Sequence, residues 1–476
     1  MSDYNFLMEM RLSPEQLRAV NYLSRVATSL GLNLYLVGGA VRDLIYGQAP
    51  IRDLDFAVDG SVERMLRRLE SPPSGKSRLK LPFEPAEDPV PLKASRVSLR
   101  QGQLTAEVTF DNEVGAELNR THSAIYRRAG GPPEISEAGI FEDLKRRDFS
   151  ADAMAVSLHP NSRGLLLDPT NGVADVERRE LRALYSRSFL DDPSRIYRLV
   201  RLALRLDLKP EERTKLWMES AIEAKAWQGL TPDQQGRELR GIFREENPSR
   251  VLKALAARGL LPGLDSSLHE KRIPYDRLDH LRHVVHHGPG RDPFLLYLYC
   301  FTEKVAPAHR HRLLHKILRD AKREREVLTL DREAKNLARQ LGGSKASLPS
   351  QAYRTLASAP RPLVLFLLAF YPQAKVQASV KFFLFKAPQV RARLPRAELS
   401  SLGVEPGPEF EKVLEQIFLE QLDGKTKSPS QISRRLRELA GVKEPEAPKP
   451  ASSARKKNGR AASKTQRGSR GKDRKR

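Results

Sequence analysis

Cysteine is almost missing from this 476-residue sequence, and the single one, Cys300, excludes an intramolecular disulfide and a cysteine-based zinc site. It stands in an apolar run, Phe294 to Phe301, where a buried core thiol is expected rather than a nucleophile. Long hydrophobic stretches are also lacking. The longest, Leu363 to Tyr371, falls well short of the roughly twenty residues that a membrane-spanning helix needs. No apolar segment follows a basic start at the N-terminus, so no secretory signal is read and a cytoplasmic location is expected. Acidic residues are outnumbered, 59 against 83 Lys and Arg, for a formal net charge of +24. That imbalance favours a polyanionic partner over an acidic small molecule. From Glu444 onward, 12 Lys and Arg face three acids without apolar periodicity. Residues 443–476 therefore read as a disordered basic tail suited to weak, salt-sensitive attraction to a polyanion.

The chain is too long for one ordinary core and suggests two to four domains. Ser13 can cap a helix from Pro14 to about Leu30, with Gly31 beyond its end. Leu34 to Val37 reads as a short strand, Ala40 to Tyr46 as a helix stopped by Gly47, and Leu54 to Val58 as a return strand. Residues 71–91, rich in Pro, Ser and charge, read as a loop. Val97 to Leu99 and Leu104 to Phe110 read as a strand pair turning at Gln101 and Gly102, with Glu107 in the second strand. After Leu206 the text is helical to about Leu439, with segments such as Glu211–Glu223, Gln234–Glu245, Pro248–Arg258 and His309–Arg339. His280, His283, His286 and His287 have no acid at ligand spacing beyond Asp279, so they read as polar surface.

Chemistry concentrates near the start. Leu36-Val37-Gly38-Gly39-Ala40-Val41-Arg42-Asp43 places a glycine pair between an apolar strand and a helix, and Arg52-Asp53-Leu54-Asp55 follows. Glycines before a helix let backbone N–H groups approach a polyphosphate, where the helix N-terminus adds favourable charge. Alternation along a strand points Asp53 and Asp55 the same way and Leu54 into the core. Two adjacent carboxylates repel unless a cation lies between them, and Mg²⁺ is the usual cation for such oxygen ligands. Together these features read as a metal-dependent site for a nucleoside triphosphate. A second pointed segment is Asp191-Asp192-Pro193-Ser194-Arg195, continued by Arg198 and Arg201 at spacing three. Those arginines form a stripe opposite Ile196, Leu199, Val200 and Leu202. Alone, the stripe is open to two readings, a solvated basic face or a ligand-binding one.

Gly-Gly-x-Val-Arg-Asp followed by Asp-x-Asp, with Arg146-Arg147-Asp148-Phe149-Ser150 and the Asp191 to Arg195 helix downstream, resembles the class II nucleotidyltransferases. That family contains CCA-adding tRNA nucleotidyltransferases and bacterial poly(A) polymerases, and the resemblance covers residues 34 to 206. It implies an α+β architecture: a nucleotidyltransferase head of polymerase-β-like palm type with a mixed sheet over 1–185, and a helical neck over 186–260. A helical body over 261–442 and the basic tail would complete it. By the same resemblance Asp53 and Asp55 bind Mg²⁺, and Glu107, expected on an adjacent strand, is the best candidate for a third catalytic carboxylate. Gly38, Gly39 and Arg42 would hold the triphosphate, with Asp43 orienting Arg42. Arg147, Asp148 and Asp152 would face the sugar and phosphates. Asp192 and Arg195 would read the base as a protein template, with Arg198 and Arg201 also contacting the nucleotide.

Two departures stand out. Asp152 occupies a place where the family usually has Asn, and Asp111 one where it commonly has Arg; residues 112–133 also match poorly. These departures bear on the flexible loop with which CCA enzymes switch from C to A. The expected activity is template-independent addition of CCA, or part of it, to tRNA 3′ ends from CTP and ATP. Poly(A) addition is the alternative, and Arg187-Ser188-Phe189 in place of an Arg-Tyr before the acidic pair tilts toward the tRNA type. A non-catalytic RNA-binding relative and a small-molecule nucleotidyltransferase are further readings. Intact Asp53 and Asp55 speak against the first, and the basic helical body against the second.

Overall fold

A computed structural model describes residues 4–47, 51–70, 92, 94–99, 105–286, 293–343 and 347–441. The expected loop at 71–91, the turn at Gln101 and Gly102, His287 and the basic tail lie outside the described residues. The chain divides into two compact units, Met1–Ala346 with Thr355–Leu384, and Ser347–Arg354 with Phe385–Arg476. The borders expected at 185 and 260 fall inside the first unit.

The first unit contains a seven-stranded sheet. Its strands are β1 (Asn33–Val37), β2 (Leu54–Asp59), β3 (Ala94–Leu99), β4 (Thr105–Phe110), β5 (Gly115–Arg120), β8 (Ala155–Ser157) and β9 (Leu166–Leu167). They are ordered β3-β4-β5-β2-β1-β8-β9. Only β2 and β5 run parallel, which makes the sheet mixed as expected. Between β5 and β8 a separate hairpin pairs β6 (His122–Ile125) with β7 (Glu134–Glu137).

Side-chain alternation gives the sheet two unlike faces. Leu34, Leu36, Leu54, Phe56, Val58, Ala106, Val108 and Leu118 are all fully buried on one of them. The helix Pro14–Ser29 covers this side, with Tyr22 edge-on to Phe110 at 6.0 Å. Ser13 and Gln16 form its capping box and Gly31 follows at φ +66°, as its sequence predicts. The opposite face is covered only in part. Ile140 and Leu144, from the helix Ile140–Lys145, pack on Val37, Ala57 and Ala155. Asp55 shares this face with Ala57 and is left half-buried at the edge of that cover.

The helical part of the first unit carries one departure from expectation. His309–Arg339 is not one helix but two, Pro307–Leu318 and Ala321–Gly342. Arg319 adopts the left-handed conformation (φ +53°), and Asp320 accepts hydrogen bonds from the Lys322 and Arg323 amides to start the second helix. A short polar side chain offering a cap outcompeted continued helix. His280 bonds the Ala369 carbonyl at 2.9 Å, and among the described residues no histidine cluster suited to a metal occurs. In the second unit, Arg435 forks onto Glu420 and Arg391 lies 4.4 Å over the Phe418 ring. Among the described residues no helix is long and apolar enough to cross a membrane.

Candidate active site

The turn from β1 into the helix α1 (Gly39–Tyr46) is built around Gly38, whose φ of +67° and ψ of −131° favour glycine. Space enforces the choice as well. A Cβ there would meet Arg147 Nη1 at 3.0 Å and lie 3.9 Å from Asp55 Oδ2. The turn, Arg147 and Asp55 thus converge on one small space. Gly47 ends α1 at φ +83°, as expected.

Of the two aspartates, Asp53 stands just before β2 and is exposed, while Asp55 is the second residue of the strand. Leu54 between them is buried, as alternation requires. The neighbour of Asp55 across the sheet is Glu117 on β5, and Glu117 is in turn paired with Glu107 on β4. Glu107 is therefore not on an adjacent strand, as expected from the sequence, but one strand too far; β5 comes between. Three carboxylates in one row repel each other. Burial, then Glu117, then Asp53 push the Asp55 carboxyl up to about 7; Asp152 adds to this and only Arg147 opposes it.

This excess negative charge fits a hard divalent cation. Among the described residues no group of three acids or histidines forms a closed cage. Mg²⁺ does not need one, since it keeps waters and substrate phosphates and takes only one or two carboxylates. Bound between Asp53 and Asp55, it would neutralise a triphosphate lying along the Gly38 turn.

Arg42 lies at the glycine turn, its Nη2 3.3 Å from where a Cβ on Gly39 would stand. It is 3% exposed and its guanidinium is shared between Asp43, at 2.8 Å, and Asp152, both ion pairs. Burial lowers its proton affinity, but Asp152 and Asp43 outweigh this and hold it charged. The unusual Asp152 is thus balanced from within the fold, and Asp43 orients Arg42 as the sequence suggested. Arg147 stands at the turn as well, against Gly38. Asp143, 1% exposed, grips Arg147 at 3.1 Å and Arg146 at 2.7 Å. Burial would raise the Asp143 carboxyl, yet Arg147 and Arg146 hold it below its ordinary range.

The arginine stripe lies on α2 (Ser194–Leu206), and it is neither solvated nor free. Arg195 sits 2.8 Å from Asp148, Arg198 pairs with Asp148 and with Glu238 at 3.2 Å, and Arg201 donates to Glu245 at 2.9 Å. Arg205 lies 3.6 Å from Asp43, and Arg52, next to Asp53, reaches Glu245 at 3.1 Å. These pairs lock α2 to the head on one side and to α3 (Pro232–Phe243) and its C-terminal extension on the other. Asp148 thus faces arginines. Arg195 is 4% exposed and also donates to Ser188 Oγ, Tyr185 Oη and the Arg146 carbonyl. Asp192 precedes α2 and accepts from the Ser194 amide at 3.1 Å and hydroxyl at 2.6 Å, with Pro193 in helical conformation at the helix start. Tyr126, on the segment after β6, feels both Asp192 and Arg195. That segment is tied down: Arg127 forks onto Glu134, and Gly130 donates to the Leu190 carbonyl at 2.9 Å.

Sequence reading missed Glu117, Asp143, Glu238 and Glu245. The alternation of Glu117 between buried Ala116 and Leu118 was a signal for the first; the others are acids whose partners are distant in sequence or hidden by the turn of a helix.

A mixed sheet presenting paired carboxylates beside a glycine turn, followed by a helix with a capped acidic start, defines a nucleotidyltransferase. Residues 34–182 match the family model of the Poly A polymerase head domain. Enzymes of this family generally use divalent metal ions. The chain is 27% identical over 449 residues to an A-adding tRNA nucleotidyltransferase of Halalkalibacterium halodurans, covering 92% of this chain and 96% of that protein. It is 35% identical over 257 residues to a CC-adding tRNA nucleotidyltransferase of Deinococcus radiodurans, covering 53% and 62% respectively. Among solved structures, a CCA-adding enzyme in its apo form is 23% identical, with a TM-score of 0.49 over 92% of this chain and 99% of that one.

Proposed function

We propose that this protein adds C, A or both to the 3′ end of tRNA without a nucleic-acid template, using CTP or ATP with Mg²⁺, in the cytoplasm. The observation that carries the reading is the uncompensated charge at Asp55, aligned with Glu117 and facing the Gly38 turn. The names borne by the relatives supply the substrate class. In this reading residues 1–185 form the catalytic head and 186–260 the neck.

Each group then has a task. The metal, when bound, supplies charge neutralisation at the attacking hydroxyl and the leaving pyrophosphate. Asp53 and Asp55 hold it, with Glu117 in the place first expected for Glu107. The Gly38 and Gly39 backbone admits the triphosphate close to α1, and Arg147 lies against it as a charged donor. Arg42, beside Gly39, is braced between Asp43 and Asp152. Asp192 presents a carboxylate to the base beside Tyr126. Arg195 backs it, while Arg198 and Arg201 hold the helix in place.

The deciding assay offers purified protein a tRNA ending before CCA, with labelled CTP and ATP separately and together. Extension by one to three residues is expected. Long A tails would move the protein to poly(A) addition, and no extension in the presence of Mg²⁺ would overturn the reading.

A further inference from the structure

Asp192 has an unsymmetrical environment. Its Oδ1 takes three hydrogen bonds: from the Ser194 amide at 3.1 Å, the Ser194 hydroxyl at 2.6 Å and Gln234 Nε2 at 2.9 Å. Its Oδ2 lies 4.0 Å from Arg195 Nε and accepts no hydrogen bond among the described residues. The Ser194 bonds are local to the helix start. Among the described residues, Gln234 alone bonds Asp192 from another helix, as a side chain of α3.

The orientation of the Gln234 amide is settled by its other end. Oε1 accepts from the Thr231 backbone N–H at 2.9 Å and from the Thr231 hydroxyl at 3.0 Å. A backbone N–H only donates, so the oxygen must face Thr231 and the NH₂ must face Asp192. Gln234 therefore does two things at once. It completes the capping box of α3, and it holds one oxygen of Asp192.

We propose that Gln234 is a positioning residue for nucleotide selection: it fixes the rotation of the Asp192 carboxylate so that Oδ2 is the single acceptor offered to the incoming base. This rests on the reading of Asp192 as the group that faces the base. Cytosine and adenine both carry an exocyclic amine that donates to such an acceptor, whereas uracil and guanine carry a carbonyl oxygen at the corresponding place. A carbonyl facing Oδ2 would leave two acceptors opposed, a mismatch that polar sites reject strongly. Released from Gln234, the carboxylate turns about its last bond, and the alignment of Oδ2 with the amine is lost.

Capping and positioning can be separated by substitution. Glu is a regular partner of Thr in a capping box, so Gln234→Glu keeps the start of α3 but turns a donor into an acceptor against Asp192. Gln234→Met removes the donor without adding charge. The measurement is single-turnover kcat and KM for CTP, ATP, UTP and GTP on one tRNA substrate with the full-length chain, beside Asp192→Asn and with a thermal melt of each variant.

Both Gln234 variants should lower the preference for amino over carbonyl nucleotides by about tenfold or more, through a higher KM for CTP or ATP. Gln234→Glu should melt like the parent. An equal fall in kcat for all four nucleotides with the preference kept would overturn the proposal, since a merely structural role predicts that. A preference that moves in Asp192→Asn but in neither folded Gln234 variant would overturn it alone. A preference unmoved in Asp192→Asn would remove the base-facing role of Asp192, and the proposal with it.

Discussion

Two charged regions of the first unit are treated in opposite ways. At the Asp53 and Asp55 edge, acids face acids and burial adds to the cost, so the carboxyl of Asp55 is driven up to about 7. Along α2, every arginine of the stripe meets an acid: Asp148, Glu238, Glu245 or Asp43. In one region the acids outweigh the arginine beside them, Arg147. The other is closed upon itself, and its arginines act as mortar between elements. A charged residue in a motif is thus open to a ligand only where the fold withholds its counter-charge.

The sharpest way to break this comparison is at the open region. Asp53→Ala or Asp55→Ala should lower kcat by at least about a thousandfold, with tRNA affinity retained in a filter-binding titration. Retained turnover would place the metal elsewhere. Glu117→Gln should cost more activity than Glu107→Gln, because only Glu117 adjoins Asp55. Equal losses would mean that position in the row does not matter.

The closed region should fail differently, in stability. Glu238 is buried and pairs with Arg198, and Glu238→Ala leaves that arginine with Asp148 as its remaining acidic partner. A loss of about 1–3 kcal/mol is expected in denaturant unfolding, without change in the metal concentration for half-maximal activity. An unperturbed unfolding midpoint would show that the pairs are incidental.

A pH series sharpens the contrast further. The Asp55 carboxyl is raised in the folded protein, so its contribution to stability is full below the ordinary carboxylate range and is lost as pH rises through about 7. Without divalent metal the melting temperature should therefore fall between pH 5 and 8. Mg²⁺ should restore it at pH 8 and do little at pH 5, where a proton competes for the same oxygen. Identical melts with Mg²⁺ and with a chelator at pH 8 would argue against a cation at Asp55. The smallest effect is expected from deleting Glu444 to Arg476: a flatter salt dependence of tRNA binding with kcat unchanged.

Much of the head was legible in the order of residues. The glycine turn, α1 with its Gly47 stop, β2 and the helix after Ser13 follow from short-range rules: positive φ at glycine, alternation on strands, capping by Ser. The mixed-sheet head was an expectation from the resemblance to the nucleotidyltransferases, whereas the helical remainder followed from residue patterns. The site was legible only in outline. Nothing in the segment of Arg42 reveals that Asp152, 110 residues away, is its partner. Glu107 looked like the third carboxylate because strand order is not written in spacing. The break at Arg319 was missed because a cap and a helix interior compete over only a few residues.

By itself, then, the amino-acid order determined which backbone turns are possible, which faces are apolar and where acidic and basic groups stand along the chain, since these depend on neighbours within a few residues. Only the tertiary structure decided which charges neutralise each other. Coulomb energy and desolvation depend on distance through space, and it was folding that put Glu117 beside Asp55, Asp152 on Arg42 and Gln234 on Asp192.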